Sequence, residues 1–160
     1  MPVSAENPWY KVSDRDPMAV DIYERHYSAR KYKDGRQNRR QVGFVGPGEK
    51  CVLVTTDGRA LFAWRHALIV DPGNPEGVCC SVFRNEGEQK SSELILWAEE
   101  YARDLWPGLQ LYSWIWDDKV KSTNPGYCFK MAGWKNAGRN KDGRLTLLVK
   151  RPELPGGKAS

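Results

Sequence analysis

Long apolar segments are missing from this chain of 160 residues, because no uninterrupted run approaches the roughly 18 residues of a membrane span. Residues 1–8 also lack the basic-then-apolar pattern of a secretion signal. Histidine occurs only twice and the four cysteines include no C-x-x-C pair, so a zinc site is not expected. These absences predict a soluble cytoplasmic protein without a metal ion.

The four cysteines are Cys51, Cys79, Cys80 and Cys128, and the first three fall inside apolar, strand-like runs. A reduced cysteine in such a run behaves as a small hydrophobic residue. Disulfides are rare in reducing compartments, so this placement agrees with a cytoplasmic location. We therefore expect core thiols, and a reactive cysteine is the alternative.

What the chain does contain is typical of a folded domain: 40% of its residues are hydrophobic, and it has seven Trp and seven Tyr. Disordered chains lack the aromatic content that offsets the entropy cost of ordering. The length fits one domain. We predict a flexible lead-in at residues 1–13, which show no periodicity, a single domain at residues 14–151 and a mobile tail at residues 152–160.

The apolar patterns predict a mixed α/β fold of the α+β class. Strands at residues 50–55 and 60–64 flank Asp57-Gly58, a strong hairpin signal because glycine accepts the positive φ of a tight turn. Residues 78–83 are almost continuously apolar, which predicts a central strand buried on both faces. We expect a mostly antiparallel sheet flanked by helices.

Helix signals occur in three places. Asp16-Pro17 fits an N-cap followed by proline in the first turn. Apolar residues at spacings of three and four predict a second helix, which Ser91 or Ser92 would cap: Leu94, Trp97, Ala98, Tyr101 and Leu105. A strand at residues 109–116, a short helix at residues 124–131 and a closing hairpin complete the expected order of elements.

The segment between the central strand and the second helix points to an anion site. Arg84 and Gly87 lie in a polar loop, and the helix that follows presents free N–H groups and the positive end of its dipole. Gly87 would let the backbone approach a ligand closely. A phosphate is the expected ligand, and an ordinary capped helix start is the alternative.

Two motifs, taken with the order of the elements, make the chain similar to the GNAT superfamily of N-acyltransferases. Residues 84–89 match the Arg and the first Gly of that family's R/Q-x-x-G-x-G/A loop, with Gln89 where a small residue is usual. Residues 122–134 resemble the family's short helix, which begins with Asn, here Asn124, and ends in Gly plus an aromatic residue. The resemblance implies a GNAT-like central twisted sheet.

The cofactor that this resemblance implies is acetyl-CoA or another acyl-CoA. Its pyrophosphate would lie at the start of the second helix, against the loop that begins with Arg84. The resemblance assigns cofactor binding to nine residues: Val82, Phe83, Arg84, Gly87, Gln89, Lys90, Ser91, Ser92 and Asn124.

The resemblance also implies catalytic roles. The position four before the helix-ending glycine often carries a Tyr that protonates the departing thiolate, and it is Phe129 here. Tyr127 is the nearby phenol and takes the acid role in this interpretation. The candidates for the base that deprotonates the amine are His26, His66, Asp117 and Asp118, and for each of them a surface role is the alternative.

The strongest charge cluster is residues 29–40, with six basic residues and one acidic, and the net charge of +5 favours polyanionic partners. Together with the residues before it, this stretch resembles phage and prophage GNAT-like proteins, among them the Mom-type DNA base-modification proteins. That resemblance implies an adenine amine of DNA as the acceptor and the host cytoplasm as the location. A solvated basic loop is the alternative. The DNA contacts would come from His26, Tyr27, Ser28, Arg30, Lys31, Lys33, Arg36, Arg39 and Arg40.

Two further interpretations stay open. One is a non-catalytic nucleic-acid-binding protein, in which aromatic residues stack on bases: Trp9, Tyr10, Tyr27 and Tyr32. The other is a degenerate GNAT fold that has lost CoA, which the residues Gln89 and Phe129 favour. The loop at residues 84–92 discriminates between an enzyme and a simple binder, because a binder has no need for a phosphate cradle behind a buried strand.

Overall fold

The computed structural model of the chain describes residues 3–25, 43–67, 73–116 and 126–152. Within these residues seven strands form one sheet: β1 (Trp9–Val12), β2 (Glu49–Thr55), β3 (Ala60–His66), β4 (Val78–Asn85), β5 (Leu111–Trp116), β6 (Lys135–Arg139) and β7 (Leu145–Lys150). The helices described are α1 (Pro17–Glu24), α2 (Ser91–Leu105) and α3 (Tyr127–Met131). None of these helices is long and apolar enough to cross a membrane. All but the first residue of the predicted tail, residues 152–160, lies outside the described residues.

The strand order is β1-β2-β3-β4-β5-β7-β6, and each neighbouring pair is antiparallel except β4 and β5, which are parallel. The predicted α+β class, with a mostly antiparallel sheet and flanking helices, is therefore confirmed. The hairpin between β2 and β3 is also confirmed, because Gly58 has a φ of 71° and Asp57 Oδ1 accepts a hydrogen bond of 2.6 Å from Thr55 Oγ1. As the fourth of seven strands, β4 has the central position predicted for it.

The side chains of the sheet divide between two cores, because successive residues of a strand point to opposite faces. Along β2, Cys51 and Leu53 join one core, whereas Val52 and Val54 join the other. The first core contains residues of α2 and α3, and the second contains residues of α1. One face of the sheet is therefore covered by α1, and the opposite face by α2 and α3.

The central strand β4 contains a β-bulge. Ala63 opposes Val82, but the next residue of β3, Trp64, opposes Cys80, so Ser81 is an extra residue on β4. Cys80 consequently faces the core under α2 and α3, while Val82 faces the core under α1. The prediction that β4 is buried on both faces is therefore confirmed, because Cys80 and Val82 are buried in different cores, and only residues 83–85 at its end are all half-buried.

The predicted lead-in at residues 1–13 is not flexible throughout, because it contains β1. Trp9 opposes Thr55 of β2, is 2% exposed, and donates an indole hydrogen bond of 2.8 Å to the carbonyl oxygen of Leu94 in α2. Ahead of β1, the hydroxyl of Ser4 donates to Glu100 Oε2 at 2.8 Å. A four-residue edge strand is too short to show a periodicity in the sequence. It is ordered by contacts with residues that are distant along the chain. The same burial excludes Trp9 from stacking on bases.

A carboxylate with no exposed surface, that of Glu99 in α2, connects this helix to the closing hairpin. Its Oε1 lies 2.8 Å from Arg103 Nη2 and 2.7 Å from Lys150 Nζ, and its Oε2 accepts a hydrogen bond of 3.0 Å from Trp134 Nε1. The amine of Lys150 also donates to the carbonyl oxygen of Ala132, directly after α3, at 2.8 Å. Because a buried charge is costly unless it is paired, this cluster holds α2, α3 and β7 together.

Replacing Lys150 by Gln should lower the free energy of unfolding by about 3–5 kcal/mol, because it leaves a fully buried carboxylate short of one cation. Arg103→Gln is the matched control: it removes the other cation, whose side chain is 45% exposed, and should cost about 1 kcal/mol or less. Urea denaturation of both variants measures the difference. Equal losses for the two variants would contradict the role given to Lys150.

Candidate functional site

The two parallel strands separate soon after they meet, and this opens the sheet. They pair only at Val78 with Leu111 and at Cys79 with Tyr112. Beyond that point β4 continues along β3 to its last residue, and β5 continues along β7 to its last residue. We call the space between residues 80–85 of β4 and residues 113–116 of β5 the wedge. It lies at the carboxyl ends of the parallel pair, the edge at which ligands bind in sheets with parallel strands.

Polar backbone groups face the wedge, and one of them, the carbonyl oxygen of Cys80, accepts a hydrogen bond from a side chain. The hydroxyl of Ser113, which is 4% exposed, donates a hydrogen bond of 2.9 Å to the carbonyl oxygen of Cys80. This bond from β5 to β4 follows directly after the last paired residues, so it marks the apex of the wedge. A buried hydroxyl is stable in such a position because it has a partner.

The helix α2 begins immediately after β4 and its loop. Its N-cap is Lys90, and within the described residues no side chain accepts a hydrogen bond from the first N–H groups of the helix. The predicted capping by Ser91 or Ser92 was wrong. The Ser91 hydroxyl instead accepts a hydrogen bond of 3.0 Å from the amide of Asn85, and Ser92 is buried. The uncapped start of α2 therefore keeps donors that suit an anion.

Asn85 holds the loop between β4 and α2 in shape. Its amide nitrogen donates to the carbonyl oxygen of Gln89 at 2.6 Å, and its Oδ1 accepts from the backbone N–H of Gly87 at 2.9 Å. A Cβ added to Gly87 would lie 3.2 Å from Arg59 Cβ in the turn between β2 and β3. The absence of a side chain at Gly87 is thus explained by packing against this turn. The spacing of Asn85 and Gly87 is typical of an Asx turn, a signal the sequence analysis missed.

The side chain of Arg84 does not extend freely into solvent, because the carboxylate of Glu86 binds it. Its Nε lies 2.7 Å from Glu86 Oε2, and Arg25, directly after α1, binds both oxygens of the same carboxylate at 2.6 Å. The hydrogen bonds from Arg25 lower the pKa of Glu86 to about 2, burial opposes them, and Arg84 adds to the lowering. Neither Arg25 nor Glu86 was predicted as a site residue, because their meeting depends on the tertiary fold.

The short helix α3 lies on the same face as α2, beside the wedge. A Cβ added to Gly126 would lie 2.5 Å from Leu148 of β7, so the start of α3 rests on that strand. The ring of Phe129 is buried and lies 5.9 Å from Phe83 of β4, in an edge-on arrangement. The side chain of Tyr127 is 48% exposed. Of the two aromatic residues that sequence reasoning compared, Phe129 packs in the core and Tyr127 reaches solvent.

The other predicted residues are distributed unevenly. Val82 packs under α1, whereas Phe83 packs on the α2 side of β4. Arg65 opposes Cys79, so His66 lies beside the amino end of β4, about 25 Å along the strand from the loop between β4 and α2. Its Nδ1 lies 3.1 Å from Glu49 Oε1. The structure therefore does not bring His66 together with that loop or with the start of α2. The following lie outside the described residues: Asn124, Asp117, Asp118 and all nine predicted DNA-contact residues.

The cysteines are free thiols in or beside the core. Burial raises the pKa of Cys51 and of Cys79 to about 12, and it also raises the pKa of Cys80 and of Cys128. All four therefore stay protonated at neutral pH, and none has the thiolate character of a nucleophile. In the part of the chain that the structure describes, no three His, Cys, Asp or Glu side chains are grouped so that they could hold a metal ion.

Neither a protein-family model nor a curated protein sequence matches this chain. The function is therefore argued from the geometry of the wedge and of the loop beside it.

Proposed function

We propose that this protein is an acyl-CoA-dependent N-acyltransferase that binds its cofactor at the wedge. The observation that carries the proposal is the separation of β4 and β5 beside the uncapped start of α2. The elements follow in the order that the resemblance to the GNAT superfamily implies: a central strand, a polar loop, a helix, a strand, a short helix and a closing hairpin. The same order supports a GNAT-like arrangement of the sheet.

The residues at the wedge fit the chemical groups of acyl-CoA. The N–H groups at the start of α2 and the exposed side chain of Lys90 suit a pyrophosphate. Within the described residues, the polar backbone of β4 beyond Cys80 has no strand partner on the β5 side, so it suits an extended ligand that carries amide groups. When bound, acyl-CoA supplies an activated thioester. The part of the chain around the wedge binds and orients it.

For the acid role, Tyr127 is the residue whose position agrees with the proposal. Tyr127 is 48% exposed at the start of α3, whereas Phe129 has no ionisable group and is buried against Phe83. The base that takes the proton of the amine is proposed among His26, Asp117 and Asp118, because His66 lies at the opposite end of β4 from the start of α2. The aspartates directly follow β5, which borders the wedge.

DNA is the proposed acceptor, with an adenine amine as the acylated group. Arg25, directly before the segment that carries the basic residues, is bound to Glu86 in the loop between β4 and α2. The chain therefore enters the basic segment beside the wedge. Six positive charges in twelve residues suit the phosphates of a nucleic acid. In the alternative function, that of a non-catalytic nucleic-acid-binding protein, Trp9 cannot stack on bases because its ring is buried.

The first test uses proline to remove one N–H donor from α2. Ser91→Pro should lower the affinity for acetyl-CoA about tenfold, because a hydrogen bond to a charged group is removed. Proline is tolerated at the first helical position, and Lys90 already has the φ of −64° and ψ of 128° that a residue before proline adopts. Ser91→Ala is the matched control, since both variants lack the bond to Asn85.

Calorimetric titration measures these affinities, and circular dichroism confirms that both variants keep their helix. We expect the wild type and Ser91→Ala to bind alike. If the wild type fails to bind acetyl-CoA at millimolar concentration, the chain is a fold without this cofactor. Equal affinities for Ser91→Pro and Ser91→Ala would remove the start of α2 from the cofactor site.

The second test concerns Tyr127. Tyr127→Phe should slow acyl transfer by about 10²-fold, a typical contribution of general-acid catalysis, and leave the affinity for acetyl-CoA unchanged. Tyr10→Phe is the control, because Tyr10 is 40% exposed on the distant edge strand β1. Thiol release at saturating acetyl-CoA and acceptor, with chemistry rate-limiting, measures the rate. A Tyr127→Phe enzyme as fast as the wild type would leave water as the proton source.

The third test concerns the DNA acceptor. Changing Arg36, Arg39 and Arg40 together to Gln should flatten the dependence of DNA affinity on salt, by about 0.9 in the logarithmic slope for each phosphate that the variant no longer neutralises. The control triple variant removes the same charge from exposed positions near the closing hairpin: Lys135, Lys141 and Arg144. Fluorescence anisotropy over a salt series measures both slopes. An unchanged slope in the first variant would make the basic segment a solvated surface.

A further inference from the structure

Two arginines from different elements converge on one carboxylate at the mouth of the loop. Arg25 Nε and Nη2 each lie 2.6 Å from an oxygen of Glu86, and Arg84 Nε lies 2.7 Å from one of the same oxygens. The side chains of Arg25 and Arg84 are 49% and 36% exposed, and that of Glu86 is 23% exposed. The cluster is therefore open to ligands from solvent.

The cluster resembles a phosphate site whose anion is supplied by the protein itself. A planar guanidinium binds a carboxylate and a phosphate with the same two parallel hydrogen bonds. Ion pairs with exposed partners contribute little to stability, so stability alone does not account for two arginines on one carboxylate. A ligand phosphate has the charge and the oxygen spacing to replace Glu86 between the two arginines.

We propose that Arg25 and Arg84 form a phosphate-binding site and that Glu86 occupies the place of the ligand when none is bound. The phosphate comes either from acyl-CoA or from a nucleic acid, and the first of these sources rests on the proposed function. The site itself does not, because it is defined by the two guanidinium groups.

The charges around the cluster determine the direction of the expected effect. Asp21 lies close enough to act on Arg25, and in the adjacent turn Arg59 lies close enough to act on Asp57. With Arg84 and Glu86 these groups comprise three positive and three negative side chains. While Glu86 lies between the arginines, it competes with any anion. Removing its charge therefore leaves a positive excess at the place where a phosphate would bind.

The test measures binding of inorganic pyrophosphate by calorimetry. Glu86→Gln should bind pyrophosphate about tenfold more tightly than the wild type, because the competing charge is gone. Glu88→Gln is the matched control: Glu88 is an exposed carboxylate of the same loop, two residues further on, with no contact to either arginine in the described structure. It should change the affinity by less than about twofold. Adding Arg25→Gln to Glu86→Gln should abolish the gain.

Each outcome decides the proposal. An equal gain for Glu86→Gln and Glu88→Gln, or a loss for Glu86→Gln in a protein whose thermal unfolding is unchanged, would overturn it. If Glu86→Gln does not fold, Arg25→Lys takes its place, since it keeps the charge without the paired donors and should weaken pyrophosphate binding relative to the wild type.

Two further titrations with Arg25→Gln identify the source of the phosphate. Weaker binding of acetyl-CoA assigns the site to the cofactor, and weaker binding of a short DNA duplex assigns it to nucleic acid. Unchanged affinity for both would overturn the assignment of Arg25. A wild-type protein that binds pyrophosphate but not acetyl-CoA would contradict the acyltransferase proposal and leave the phosphate site intact.

Discussion

The strand pairing of β4 with β5 ends after Cys79 and Tyr112, and the arrangement of the whole site depends on this interruption. Up to that point the two parallel strands close the sheet. Beyond it, each strand keeps one neighbour and leaves a row of polar backbone groups without a strand partner among the described residues. Buried groups of this kind are costly unless they find other partners, and the Ser113 hydroxyl supplies one for the carbonyl oxygen of Cys80. The groups that remain define where an extended polar ligand can pair.

A series of side-chain contacts connects the separated part of β4 to the helices. The bulge at Ser81 changes which face of the sheet the later residues of β4 occupy, so that Phe83 packs under α2 and α3. Phe129 then contacts Phe83 from one side and Trp134 from the other, with ring centroids 5.9 and 4.8 Å apart. Trp134 in turn donates to the buried carboxylate of Glu99. This chain of contacts runs from the wedge through α3 to α2.

The loop beside the wedge combines two kinds of donors. Arg84 and the N–H group of Gly87 already have partners within the chain, in Glu86 and Asn85. The first N–H groups of α2 have no side-chain acceptor among the described residues. In the proposed site, a phosphate at the helix start would not compete with a described capping side chain, whereas it would compete with Glu86 for the arginines. Binding would then depend on a balance between protein and ligand anions, and not on net charge alone.

Local patterns in the sequence were enough to predict most elements of this fold. The apolar runs of β2 and β3, the Asp57-Gly58 turn and the three- and four-residue spacing of α2 are each visible in neighbouring residues along the chain. The central position of β4 followed from its apolar run. The same reasoning failed for β1, because a short edge strand is ordered by its contacts with β2 and α2 and carries no periodicity of its own.

The candidate site was predictable only in part. The sequence by itself determined that a polar loop joins the central strand to a helix, since residue types and their spacing suffice for that, but Arg84, which was expected in this loop, belongs to β4. Only the tertiary structure decided that Arg25 binds Glu86, which is 61 positions away in the chain, that the Asn85 amide donates a hydrogen bond to the Ser91 hydroxyl, and that β4 and β5 separate. The physical reason is that hydrogen bonds and ion pairs between distant residues form only where folding brings their atoms within about 3 Å.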